Sequence, residues 1–364
     1  MTNKLVVENL KHRPLRTALS VLAIGLEVTM MLTLVGLSEG MLEDSAKRAR
    51  GVGGDILVRS PGSSLISFSA ASMPQKMLDW FLEQPHVAAV TGTVIHPIGG
   101  VSTVTGLDLD EFNRISGGFR YIEGGPFRTP DDILVDEFWA SQNKLRVGST
   151  VNLLNRDWRV SGIVEPGKLA RVFIPRKTLQ DLIGATGKLS QIFVKLDDPA
   201  NTSQVIAALK KYLPDYPLYS MEELTSLYSV QNVPGLKAFI GVIIALSIVV
   251  GFLVVFLSMY TAVLERTREI GILKALGASP AYVLNVIVRE TALLALAGSA
   301  AGILLTYGTR WTVMTFVPAA LTQKIVPGWW PIAAFIAVAG AMLGATYPAW
   351  KAARQDAIEA LSYE

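Results

Sequence analysis

The chain has 364 residues, 51% of them hydrophobic and only 17% charged, with a mean hydropathy of +0.40. Ordinary soluble domains carry ~25% charge, so this composition excludes a simple water-soluble globule. The net charge of +3, with no arginine-rich or aromatic-basic stripe, argues against nucleic acid, and zero cysteines exclude disulfides, thiolate metal ligands and a cysteine nucleophile.

Residues 2–13 set Leu5, Val6 and Leu10 among Lys4, Glu8, Lys11 and Arg13, ending at Pro14. This pattern predicts an amphipathic lead-in helix over 1–16, lying along the inner membrane surface. Four apolar runs follow, Thr17–Ser38, Ala238–Leu264, Thr291–Thr309 and Gly328–Trp350, and Glu27 is the single formal charge inside them. Each is near or above the ~20 residues a helix needs to cross ~30 Å of hydrocarbon. The first lacks a small-residue cleavage site and reads as a retained helix. Transmembrane helices are therefore expected at 17–38, 236–264, 281–317 and 331–350, with a cytoplasmic segment at 265–280, a short outer loop at 318–330 and a cytoplasmic tail at 351–364.

The segment 39–235 reads as an α/β domain of mixed α+β character inserted between the first two spans. Strands are expected at Asp55–Arg59, Val87–Ile95, Ile133–Val135, Thr150–Leu154, Trp158–Val164, Val172–Ile174 and Gln191–Leu196, from their β-branched and aromatic content and Gly/Pro/Asn/Asp punctuation. Helices are expected at Pro74–Gln84, Glu137–Lys144, Lys177–Gly184 and Ser203–Leu213, and loops at Gly51–Gly54 and Ser60–Ser72.

Lysine and arginine in the short loops set the orientation. Lys4, Lys11, Arg13 and Arg16 precede the first run, Arg266, Arg268, Lys274 and Arg289 separate the second and third, and Lys351 and Arg354 follow the fourth. The remaining short loop holds only Arg310 and Lys324. Both termini and the 265–289 loop are expected in the cytoplasm and residues ~40–235 outside, although Lys47, Arg48 and Arg50 run against the trend. Trp329, Trp330, Tyr347 and Trp350 fit interfacial belts.

A search for catalytic chemistry is negative. His12, His86 and His96 form no ligand spacing, so no metal site is expected. Gly184-Ala-Thr-Gly-Lys188 departs from a phosphate loop, with Leu182 where the first glycine belongs and Leu189 in place of the magnesium-binding Ser/Thr. No enzyme activity is expected of these residues, and if the chain does work, a partner supplies the energy.

The informative segment is Glu265-Arg-Thr-Arg-Glu-Ile-Gly-Ile-Leu-Lys-Ala-Leu-Gly-Ala-Ser-Pro280. Ile270, Leu273 and Gly277 share one helix face, while Glu265, Arg268 and Glu269 are spaced to pair on the surface. Gly277 is placed to end the helix, with Ser279 capping the next and Pro280 at its first position. A short helix held between two spans is a lever through which a docked protein moves both.

This segment resembles the signature of the MacB/FtsX-like (type VII) permeases of ATP-binding-cassette systems. Tyr347-Pro-Ala-Trp-Lys-Ala-Ala-Arg-Gln-Asp-Ala-Ile-Glu-Ala-Leu361 is similar to that family's ending, and Glu8-Asn-Leu-Lys-His-Arg-Pro-Leu-Arg-Thr-Ala-Leu-Ser20 to its opening helix. Ile133-Leu-Val through Trp158-Arg-Val-Ser-Gly-Ile-Val164 resembles its extracytoplasmic domain. The family's aspartate-proline near the C-terminus appears as Asp356-Ala357, Ser60–Ser72 has no counterpart, and the outer domain is shorter than in larger members.

The resemblance implies a multi-pass subunit of the bacterial inner membrane that pairs with a second copy as a homodimer and meets a cytoplasmic ABC ATPase. The implied coupling residues are Glu265, Arg266, Arg268, Glu269, Gly271, Lys274, Ala275, Gly277 and Ala278. It implies mechanotransmission to the outer domain, moving or extracting an amphipathic lipid, lipoprotein, peptide or drug, with a periplasmic adaptor and membrane lipids as further partners. An FtsX-like regulator activating a cell-wall hydrolase is the alternative, and a receptor without an ATPase a third.

Within the spans, Glu27 reads as a protonated or hydrogen-bonded packing residue, with gating or proton response as the alternative. Gly298-x-x-x-Gly302 and Gly340-x-x-x-Gly344 read as helix-packing positions, within a subunit or between two. Met30 and Met31 read as apolar filler.

Overall fold

The computed structural model describes residues 8, 11–62, 72–99, 102–229, 232, 235–317 and 321–354. Most of the expected lead-in helix, most of the Ser60–Ser72 loop and the tail beyond 354, with Asp356-Ala357, lie outside the described residues. Two compact units emerge: a helical bundle of Met1–Ser38, Gly235–Val313 and Gln323–Glu364, and a sheet domain of Glu39–Pro234 and Met314–Thr322.

Helix α1 spans Pro14–Arg50, with proline at its first position, where the missing N–H costs nothing. The apolar run predicts an end at Ser38, but the helix continues for three more turns. Hydropathy marks where hydrocarbon stops, not where a helix stops. Residues 39–50 contain good helix formers, an Asp44–Arg48 ion pair one turn apart, and Lys47, Arg48 and Arg50 in the last turn beside the carbonyl end of the dipole. The helix stops at Gly51 and at Gly53, whose φ is 76°.

In the sheet domain the elements run β1 Ile56–Arg59, β2 Met73–Pro74, α2 Met77–Leu82, β3 Val87–Gly99, β4 Ser102–Leu107, α3 Leu109–Ser116, β5 Tyr121–Gly124, β6 Asp132–Asp136 and α4 Glu137–Gln142. They continue with β7 Thr150–Leu153, β8 Arg156–Val164, β9 Val172–Pro175, α5 Arg176–Leu182, β10 Lys188–Leu189, β11 Gln191–Leu196, α6 Thr202–Tyr212, β12 Leu218–Ser220 and α7 Met221–Leu227. One mixed sheet has the order β12-β1-β11-β3-β4-β9-β6-β8-β5, with β7 on β8, and β10 pairs with β2 separately. The parallel pairs are β4 with β9 and β6 with β8.

Both sheet faces are covered, so the central strands are apolar on alternate sides. Ile56, Val58, Ile133, Val135, Ile192 and Val194 enter one core with Trp158 and Phe81. Leu57, Leu134 and Phe193 enter the other with Phe112, Phe119 and Phe173. The distal end of α1 is tied into this domain by ions: Arg171 donates to Asp44 at 2.7 Å and to Asp136 at 3.0 Å, and its guanidinium lies 5.2 Å from the Phe138 ring. Asp136 also caps α4 through the Trp139 N–H at 2.8 Å; burial pushes its carboxyl above the ordinary range, against the pull of Arg171. The Gly184–Lys188 stretch forms the turn from α5 into β10, with Gly184 and Gly187 at φ 66° and 71°.

The bundle adds α8 Leu236–Glu265, α9 Thr267–Ala275, α10 Pro280–Phe316 and α11 Trp330–Arg354. With α1, the helices α8, α10 and α11 are long and apolar enough to cross a membrane. Small residues set their spacing: a Cβ on Gly302 would meet the Gly25 carbonyl at 2.6 Å, and one on Gly298 would meet Ile24 at 2.6 Å, so both glycines bring α10 against α1. Gly344 likewise admits the Phe252 carbonyl of α8, at 2.7 Å, whereas Gly340 has nothing nearer than 3.9 Å and is not a point of close approach. A buried alanine stripe on α11, Ala333, Ala337, Ala341, Ala345 and Ala349, continues that seam. Hydroxyls add to the packing: Thr29 donates to the Gly302 carbonyl at 3.1 Å across the α1–α10 interface, and Ser20 and Ser258 lie 2.7 Å apart between α1 and α8.

Candidate functional site

α8 ends at Glu265, Arg266 breaks the helical path, and α9 begins at Thr267. Glu265 and Arg268 stand on opposite sides of that break, and Arg268 is exposed beside Glu269. Glu265 instead turns to α1, forming a close ion pair with Arg13 and a longer one with Arg16 at 3.7 Å. Arg266 donates to Glu290 of α10 at 2.9 Å, and Arg16 approaches the other Glu290 oxygen at 3.6 Å. Five charges from α1, the α8–α9 junction and α10 thus meet at one end of the bundle, around a carboxylate only 2% exposed.

α9 turns Thr267, Ile270 and Gly271 inward. Gly277 does not share a helix face with Ile270 and Leu273, because α9 ends at Ala275; it is exposed in the following turn, where its φ of 97° is the left-handed helix end that the sequence predicts. Ser279 then caps α10 by accepting from the Tyr282 N–H at 3.2 Å. Lys274 donates to the Ala353 carbonyl in the last turn of α11 at 2.9 Å. Of the remaining expected residues, Arg268, Glu269 and Ala275 are exposed and Ala278 half-buried.

The outward face also carries two residues that the pattern reading missed. Ile272 is 46% exposed and Leu276, one turn on, 81%. With Arg268, Glu269 and Ala275 they occupy i, i+1, i+4, i+7 and i+8 of one helical stripe, an apolar ridge with a charged start. Behind α9 lies a cavity of about 260 Å³, walled by Met259, Val263, Ile270, Val283 and Ile287, with Arg266 and Glu290 at its polar end.

Glu27 lies in the bundle, 7% exposed, its Oε2 so close to Gly251 of α8 that a Cβ there would clash with it. Of the histidines, His86 pairs with Asp197 at 3.1 Å on the surface of the sheet domain.

Residues 17–212 match the family model of the MacB-like periplasmic core domain, and residues 241–357 that of the FtsX-like permease C-terminal region. The chain belongs to the MacB/FtsX-like permease family. This assigns the sheet domain to the family's periplasmic core and the 265–280 segment to its permease region. Among relatives, the macrolide export ATP-binding/permease protein MacB of Escherichia coli is 24% identical over 99% of this chain and 60% of its own length. The MacB of Aggregatibacter actinomycetemcomitans is 26% identical over 80% and 50%, and that of Salmonella typhi 29% over 71% and 43%. The chain thus spans about half the length of these MacB relatives. Among solved structures, the periplasmic region of MacB from Actinobacillus actinomycetemcomitans aligns with 51% of this chain and 97% of its own, at 17% identity and a TM-score of 0.40. The extracellular domain of the noncanonic ABC-type transporter YknZ aligns with 46% and 99%, at 15% identity and a TM-score of 0.35.

Proposed function

We propose that this MacB/FtsX-like permease couples ATP hydrolysis by a cytoplasmic ABC ATPase to movement of its periplasmic domain, driving export or extraction of an amphipathic substrate such as a lipid, lipoprotein, peptide or drug. The observation that carries the reading is the outward stripe of α9. Leu276 at 81% exposure and Ile272 at 46% are apolar side chains on a polar helix, at the end of the bundle where positive charge collects. The ATPase, with its ATP and Mg, docks on that stripe, and both chain termini share its cytoplasmic side of the inner membrane.

Displacement of α9 is passed on through two rigid connections. The Glu290 cluster links the α8–α9 junction to α10 and to α1, and α1 then runs unbroken to Arg50. A second copy of the permease supplies the matching half of the stroke, and a periplasmic adaptor receives the cargo. The chain itself acts as a transducer and does no chemistry. Co-purification with the cognate ATPase tests the reading: Leu276→Glu with Ile272→Glu is expected to abolish complex formation while the permease stays folded, and retention of the ATPase by this variant would contradict it.

A further inference from the structure

Three rings of α8, Phe252, Phe256 and Tyr260, stack one turn apart with centroids 6.1 and 6.0 Å from each other. Tyr347 of α11 joins the ladder 6.0 Å from Phe256, and Trp350 follows 6.3 Å from Tyr347. These rings are not core: Tyr347 and Trp350 are 51% and 48% exposed and the α8 rings half-buried, on helices long and apolar enough to cross a membrane. Two cations close the ladder at the coupling-segment end. Lys351 donates to the Tyr260 hydroxyl at 3.1 Å and lies 4.9 Å from its ring, and the Arg354 guanidinium lies 4.5 Å from the Trp350 ring.

We propose that this groove between α8 and α11 binds an anionic phospholipid, its phosphate between Lys351 and Arg354 and an acyl chain along the aromatic ladder. The two cations are exposed and held side-on by rings, which orients them at the level where a helix leaves hydrocarbon and headgroup phosphates collect. From Tyr260 to Phe252 the ladder runs about 12 Å along the helix axis, a length of apolar surface that a free phosphate leaves unused and a lipid tail covers. Of the acidic groups described at this end of the bundle, Glu265 and Glu290 are engaged by Arg13, Arg16 and Arg266, and Glu269 is exposed on α9. Binding there steadies the last turn of α11, whose Ala353 carbonyl holds Lys274 of α9, so the leaflet composition reaches the coupling helix. This inference goes beyond the proposed transport role and stands without it.

The test titrates phosphatidylglycerol or phosphatidylcholine into the delipidated full chain in neutral detergent, with bound lipid read by native mass spectrometry. Phosphatidylglycerol is expected to bind roughly tenfold more tightly than phosphatidylcholine, a preference lost in Lys351→Gln/Arg354→Gln and kept in the charge-matched control Lys237→Gln/Arg310→Gln. Should the double variant lose its fold, Arg354→Gln alone is expected to lose about half of that preference on a logarithmic scale. An unchanged preference in the folded variant, or equal affinity for the two lipids in the parent chain, would overturn the proposal.

Discussion

Arg266 and Glu290 form an ion pair of 2.9 Å that joins the α8–α9 junction to α10 at a carboxylate 2% exposed to solvent. Because Arg16 of α1 approaches the same carboxylate at 3.6 Å, Glu290 is the point at which three helices share one charge. Removing one member of a buried ionic group leaves the others uncompensated. Glu290→Gln is expected to cost about 3 kcal/mol of stability, read as a lower unfolding midpoint of the purified chain in detergent. Arg16→Gln removes the longer contact and is expected to cost less.

At Gly277 the φ of 97° has nothing within 4 Å of the position where a Cβ would be placed. Substitution by alanine therefore meets backbone strain without a clash, and about 1–2 kcal/mol is expected from that strain alone. Since strain acts on the α9–α10 turn, the variant is expected to stay folded while stimulation of the partner ATPase falls. Thermal unfolding and ATPase rates of the reconstituted complex measure the two effects separately.

Gly251 and Glu27 make a pair whose parts are not independent. Gly251→Ala places a methyl against Glu27 Oε2 and is expected to destabilise, whereas in a Glu27→Ala background the same change becomes close to neutral. A double-mutant cycle by chemical or thermal unfolding is expected to return a coupling of about 1–3 kcal/mol.

In the periplasmic domain Asp132 is fully buried. Burial alone would raise its carboxyl, but the N–H groups of Arg128 and Thr129, at 2.6 and 2.8 Å, and the Arg159 guanidinium together hold it below the ordinary range. A depressed acid favours the folded state above its unfolded pKa, and that contribution disappears as pH falls through the lower folded value. Asp132→Asn is thus expected to lower the unfolding midpoint at neutral pH, with the gap to the parent chain closing below about pH 4.

The sequence made the strong periodic signals legible. Val/Ile-rich strands such as β6, β9 and β11 and the four apolar runs declare themselves by composition alone, since burial on both faces leaves little room for polar residues. β4 does not, because Ser102-Thr-Val-Thr-Gly-Leu107 carries few apolar side chains and owes its central place to backbone pairing with β3 and β9. α3 was missed although its boundaries were written: Asp108 accepts from the N–H groups of Asp110 and Glu111 at 3.1 Å, and Gly117 ends it at φ 70°.

In the 265–280 segment the stretch and its Ile270/Leu273 face are visible in the sequence, but the outward apolar face is not. Ile272 and Leu276 emerge on the face away from buried Ile270, and two apolar side chains among polar ones carry no periodic signal of a docking face. Glu290 escaped notice because it precedes the apolar run Thr291–Thr309 by one residue. Its role comes from Arg16, Arg266 and α10 meeting in space, which no local spacing encodes.

The central claim, that work delivered to α9 reaches the periplasmic domain, is tested most directly by spin labels at exposed Tyr212 in the two copies of a reconstituted complex. The distance between them is measured by pulsed electron resonance with and without ATP trapped on the ATPase. The account predicts a nucleotide-dependent change of several ångströms in the parent chain that is absent from Glu290→Gln with the ATPase still bound. An identical change in both, or none in the parent chain, would contradict it.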